Sequence, residues 1–240
     1  MPRTATEGPP CGPPKRAKRF KERIASLLGQ ASLSVILKEV RDVPPRQAVS
    51  PLLAALYRPE PLAKWHAVST LGAVVAGLAG EDREAARNVL RRLMWNLNDE
   101  SGSTGWGAAE ALAEILASEG GLAEEYTPFL VAYLRRDGLY LAWTALHGGL
   151  LWGIDRLAQT RPDLLRQCGT PVHLSPYLDS PEPEVRGLAA HALGLLQAGE
   201  FKGRLAELMR DPAEIFLYRR GEMKATTVGM LATEAWAMLA

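Results

Sequence analysis

Trp65, Trp106, Trp143 and Gly187 recur along the chain, and a polar side chain follows each by four residues: Ser69, Glu110, His147 and His191. Residues at i and i+4 share one face of a helix. If each pair opens a helix, the chain carries an aromatic stripe beside a mixed polar stripe. Exposed aromatics with convergent polar groups suit a protein partner, a peptide or a planar ligand. The alternative is that the tryptophans are packing residues at helix contacts, since tryptophan is usually mostly buried. The polar column is the more telling half, because a histidine in an Ala/Leu/Gly-rich helix needs solvent or a hydrogen-bond partner.

A second candidate precedes Trp106. The turn Asp99-Glu100-Ser101-Gly102 places two carboxyls near Glu110 and Glu114. General acid–base work needs such a pair held in a concave site with a perturbed pKa. The same turn also has a structural role, because it breaks one helix and offers Ser101, Ser103 or Thr104 as the cap of the next. Metal chemistry is poorly served. His66, His147, His173 and His191 form no His-Glu-x-x-His motif, none is followed by Glu, and Cys11 and Cys168 have no ligand spacing. No phosphate-cradling glycine loop or nucleophile elbow is present. Neither metal nor cofactor is implied.

These residues need helices to position them, and the pattern supplies helix after helix. Amphipathic runs at 15–28, 32–42, 46–58, 61–79, 82–97, 104–118, 122–135, 139–159, 171–178, 182–197 and 201–210 are separated by Pro and Gly turns. Positions 65, 106, 143 and 187 lie 41, 37 and 44 residues apart, near the period of about 40–47 of helical-hairpin repeats. Small residues at Ala67, Ala108, Ala145 and Ala189 would let stacked helices approach closely. Residues 214–227 depart from this pattern: Ile215 and Leu217 alternate with Phe216 and Tyr218, and Arg220-Gly221 makes a turn, which predicts a β-hairpin. A final amphipathic helix carries Leu231, Ala235 and Trp236. Together they would cap the last repeat.

The clearest copy, residues 179–194, has Asp179, Pro181, Val185-Arg186, Ala189-Ala190 and Ala192-Leu193-Gly194. It resembles HEAT-like repeats of the bacterial type known from phycocyanobilin lyases. Arg92-Leu93-Met94-Trp95, Asn98-Asp99-Glu100-Ser101-Gly102 and Gly105-Trp106-Gly107 are similar to a narrower bacterial HEAT-repeat family and imply no chemistry. The resemblance implies an all-α, right-handed α-solenoid of about four to five helical hairpins, with the second helix of each lining the concave face. The expected divisions are a disordered tail (1–14), an N-terminal basic helix and cap (15–45), the repeats (46–210), and the C-terminal β-hairpin and capping helix (211–240).

Charge and composition narrow the partner. Residues 1–23 hold seven of the 28 basic and two of the 27 acidic side chains, so the remainder holds 21 and 25. Nucleic-acid affinity needs a basic face, which only the N-terminal segment offers. No apolar run reaches the roughly 18–20 residues that span a bilayer, and no signal-peptide h-region follows the N-terminus. With two distant cysteines, a reduced cytoplasmic setting is expected. The expected function is a non-catalytic module binding a protein through Trp65, Ser69, Asp99, Glu100, Trp106, Glu110, Trp143, His147 and His191. The alternative is a ligand-binding protein or enzyme in the same groove, tetrapyrrole lyase-like or base excision-like.

Overall fold

The computed structural model describes residues 15–30, 32–99 and 105–239. Helices α1 (Lys15–Gln30) and α2 (Leu33–Arg41) lead into α3 (Pro45–Ala55), α4 (Pro61–Glu81), α5 (Arg83–Leu97), α6 (Ala108–Ser118) and α7 (Gly120–Ala132). There follow α8 (His147–Ala158), α9 (Pro162–Gln167), α10 (Thr170–Leu174), α11 (Pro183–Leu195), α12 (Lys202–Leu208), strands β1 (Glu214–Arg219) and β2 (Glu222–Thr227), and α13 (Val228–Met238). The chain is a repeat solenoid with a small antiparallel hairpin near its C-terminus and a final helix.

Local chemistry sets these boundaries. Proline, preset for helical φ and lacking an N–H to satisfy, sits in the first turn of α3, α4, α9 and α11. Asp82 accepts from Ala85 N (2.9 Å) at the start of α5, Glu119 from Leu122 N (2.6 Å) at α7, and Thr227 from Met230 N (3.1 Å) at α13. Each side chain occupies one of the donors that a helix start leaves open.

The inner layer is a single file in which α4 packs on α6, α6 on α8, α8 on α11 and α11 on α13. Helices α3, α5, α7, α9 and α12 lie outside it. Close approach along the file comes from glycine more than from the expected alanine column. A Cβ on Gly153 would meet Ala113 Cβ at 2.8 Å, and one on Gly194 would meet Ala235 Cα at 2.4 Å.

Several expectations shift. The helix foreseen at 139–159 begins at His147. Residues 140–143 are irregular, and Thr144–Leu146 form a single 3-10 turn. Pro162, read as a turn, instead starts α9, where its fixed φ suits the first position. Helix α4 is long and apolar enough to cross a bilayer, with mean hydropathy 1.3. Here it is the central core helix, buried among α2, α3, α5 and α6. Strand β1 and α13 both pack on α11, where Ile215 and Leu231 lie against Gly187, and the hairpin, inserted between α12 and α13, also reaches back across the inner face to Trp65 and His66.

Candidate functional site

The hairpin is held across the groove by an aromatic cluster. Trp65 of α4 stacks on Tyr218 of β1, with ring centroids 5.1 Å apart and planes 5° apart, and Trp152 of α8 leans on Trp65 at 4.6 Å. Trp152 Nε1 donates to the Tyr218 carbonyl (3.0 Å), and the Tyr218 hydroxyl lies 3.1 Å from Ser69 Oγ. At the turn, His66 Nε2 is 3.3 Å from Gly221 O while its Nδ1 is 3.0 Å from Leu28 O. Burial pushes the Tyr218 phenol above its ordinary range, against the lowering effect of the Ser69 bond. Buried rings with satisfied polar tips are the economical way to anchor such an insertion.

The hairpin thereby divides the inner face into two chambers. The smaller, of about 230 Å³, lies toward the N-terminal ends of the inner helices. Its apolar rim is Trp106, Phe216 and Met223, all exposed. Its floor is acidic: Glu110 is buried and bonded to Lys64 Nζ (2.7 Å), and Glu184 lies beside Gly148 with no partner among the described residues. Lys64 also sits over the Trp65 ring at 5.1 Å. Burial raises the Glu184 pKa, and the Glu110 charge raises it further, while Lys64 acts the other way. No hydroxyl, thiol or imidazole lines this chamber among the described residues. Its ionisable side chains are two carboxyls, Glu110 and Glu184, and one amine, Lys64.

The larger chamber, of about 800 Å³, lies on the other side of the hairpin, along the C-terminal halves of the inner helices. Arg156 grips Glu114 through two bonds, Nε to Oε2 at 2.7 Å and Nη2 to Oε1 at 3.0 Å. His191 Nδ1 bonds the Asp155 carboxylate, and its Nε2 is 3.5 Å from Glu234. Burial disfavours the imidazolium, yet the Asp155 charge and bond override it, so the His191 pKa is raised. Arg219, Arg220 and Lys224 of the hairpin also line the chamber, with Arg219 approaching the same Glu234 oxygen as His191.

The predicted residues therefore separate. Trp65 and His147 are buried rather than part of an open stripe. The His147 ring is wedged between Tyr140 and Tyr177, with Nε2 2.8 Å from Leu141 O, away from both chambers. Trp143 is exposed in the segment before α8, one helical turn earlier than the repeat frame assumed. Ser69 and His191 line the larger chamber, Trp106 and Glu110 the smaller. Asp99 lies beside Tyr57, whose pKa burial raises, with Arg92 lowering it and Asp99 raising it. Glu100 and residues 101–104 lie outside the described residues, as do Cys11 and residues 1–14. Among the described residues no group of three His, Cys, Asp or Glu side chains is placed to hold a metal ion.

Sequence reasoning passed over Glu184, Asp155 and Arg156. The available signal was spacing: Lys64–Glu110 and Arg156–Glu114 are separated by 46 and 42 residues, about one repeat. Such pairs link neighbouring inner helices, α4 to α6 and α6 to α8.

No family model matches the chain. It is 42% identical over 66 residues to an uncharacterised protein of Archaeoglobus fulgidus, an overlap of 28% of this chain and 33% of that protein, so the chain spans about a third of this relative's length. A designed armadillo repeat protein superimposes with a TM-score of 0.58 at 17% identity, covering 96% of each chain. Another, in complex with peptide (KR)4, gives 0.56 at 15% identity, covering 95% of each. These likenesses are of fold: the chain has the architecture of an armadillo-like helical repeat protein.

Proposed function

We propose that this chain is a non-catalytic binding module that takes an extended, basic segment of a protein partner into the smaller inner chamber. One observation carries the reading: the Glu184 carboxyl, half-buried and without a partner among the described residues, lies beneath an exposed apolar rim of Trp106, Phe216 and Met223. Ionising Glu184 there costs free energy that an incoming cation recovers. A charge-assisted bond between a guanidinium or ammonium and a shielded carboxylate is stronger than a neutral one. The surrounding rings favour a cation over their faces. That an armadillo-like neighbour is a complex with a Lys/Arg peptide supports the same reading at the level of fold.

Fluorescence anisotropy with a labelled Lys-Arg octapeptide and a Glu-Asp octapeptide of equal length tests it. The basic peptide is expected to bind saturably and the acidic one not. Glu184→Gln is expected to weaken binding about tenfold, the equivalent of roughly 1.4 kcal/mol. Equal binding of both peptides, or unchanged affinity in Glu184→Gln and Trp106→Ala variants that circular dichroism shows to be folded, would remove the proposal.

A further inference from the structure

The larger chamber carries chemistry that this reading does not use. Eight titratable side chains line it: Glu114, Asp155, Arg156, His191, Tyr218, Arg219, Arg220 and Lys224. Both carboxylates are already committed, Glu114 to Arg156 and Asp155 to His191. The three hairpin cations are not matched in this way. Arg219 reaches Glu234 only at 3.6 Å, and its Nη2 is shielded from solvent without an acceptor among the described residues. Lys224 reaches its own neighbour Glu222 only at 3.6 Å, and Arg220 has no partner among the described residues.

The backbone at Arg220 points the same way. Arg220 and Gly221 both have positive φ, 52° and 90°. A two-residue hairpin turn of this kind is best served by Asn-Gly. A long side chain at the first position accepts a left-handed conformation that costs about 1–2 kcal/mol. Strain of this kind concentrates where a side chain is needed for binding. Leu33, Leu37, Ala73 and Leu188 add apolar surface to the same chamber, Leu33 lying against Gly221 of the turn.

We propose that the larger chamber binds a small amphiphilic oxyanion, a carboxylate or a phosphate ester. Arg219 and Arg220 act as donors to the head group, and the α2 and α4 side lies along its apolar part. The guanidinium is the side chain suited to this, because its planar fork matches two anionic oxygens. The site is independent of the peptide reading: Glu184→Gln is expected to leave it unchanged, so either idea can fail alone.

Calorimetric titration of the full chain with hexyl phosphate, hexanoate and inorganic phosphate tests it, with hexyltrimethylammonium as the control of opposite charge. Hexyl phosphate or hexanoate is expected to bind saturably, one per chain, more tightly than inorganic phosphate, and the ammonium not at all. The two head groups tell phosphate from carboxylate recognition. Arg220→Asn suits the turn better than arginine does, so the variant is expected to fold at least as well while binding roughly tenfold more weakly. Arg219→Gln provides a second removal of charge. No saturable heat with any of the three anions, equal binding of the ammonium, or undiminished affinity in both variants overturns the proposal.

Discussion

The same substitution, glycine to alanine, is expected to have opposite signs at two inner-layer positions. At Gly194 the new Cβ would lie 2.4 Å from Ala235 Cα, 2.7 Å from its Cβ and 2.8 Å from its carbonyl oxygen. Carbon atoms in contact sit about 3.5–4.0 Å apart, so α11 and α13 must separate by about 1 Å. The obstacle is backbone, and no rotamer change relieves it. Overpacking of this kind costs about 1–3 kcal/mol or more, against a helix-propensity gain of at most about 1 kcal/mol. A net loss near 2 kcal/mol follows, or a fall in Tm of roughly 4–8 °C for a chain of this size. At Gly77, exposed within α4, a Cβ meets nothing within 4 Å. There only the propensity acts, and Tm is expected to rise by up to about 4 °C. Thermal and urea unfolding of both variants checks the pair. A Gly194→Ala protein as stable as the parent refutes the packing of α13 against α11, and with it the placement of the hairpin that α13 follows.

Trp152→Phe keeps a ring in the aromatic cluster but strands the Tyr218 carbonyl, and is expected to cost about 1–3 kcal/mol in urea unfolding, with faster amide exchange in β1. For His191 the sign is that of a raised pKa. Its stabilisation is complete below the unfolded value of about 6.5 and is lost as pH rises through the folded value. Parent stability should therefore decline above pH 6.5 relative to His191→Gln, and parallel pH profiles would rule this out. Glu184, raised chiefly by burial, favours the protonated form, so folding loses stability as pH climbs from 4.5 through its folded value. Glu184→Gln is therefore expected to raise Tm at neutral pH while weakening the basic peptide, a trade-off that a purely structural carboxylate would not show.

The architecture was legible because it is periodic. Val185-Arg186 with Ala189-Ala190 marks a second helix, and the alternation through Ile215 and Leu217 before Arg220-Gly221 marks a hairpin; both are local signals. The third repeat misled for a local reason as well. Trp143 and Ala145 mimic the frame, yet the close approach to α6 is made by Gly149 and Gly153, α8 starts only at His147, and that ring packs between Tyr140 and Tyr177. The site itself depends on contacts that no local pattern carries. Tyr218 finds Ser69 across 149 residues and Trp152 across 66. Nothing in β1 alone specifies that its aromatic face meets α4 and α8 rather than solvent.

What the hairpin adds to an otherwise repetitive groove is asymmetry, and strand geometry explains how. Side chains alternate across a hairpin, so a single insertion presents two different surfaces. Leu217 pairs with Lys224 and Arg219 with Glu222 in register, whereas Phe216 and Met223 belong to the opposite set of positions. Phe216 and Met223 therefore wall the smaller chamber over Glu110 and Glu184, Leu217, Arg219 and Lys224 wall the larger one with Arg156 and His191, and Tyr218, on the Phe216 face, reaches the larger chamber at the partition itself. An apolar, acidic-floored pocket and a cationic pocket thus share one thin partition. That partition is fixed at a few points, the Trp65–Tyr218 stack, the Trp152 bond and the Gly221 contact with His66. A ligand that shifts β1 in one chamber must move the wall of the other, so coupling between the two sites follows from the topology whenever the cluster yields. Because such coupling is reciprocal, hexyl phosphate that alters affinity for the Lys-Arg peptide must be matched by an equal effect of the peptide on hexyl phosphate.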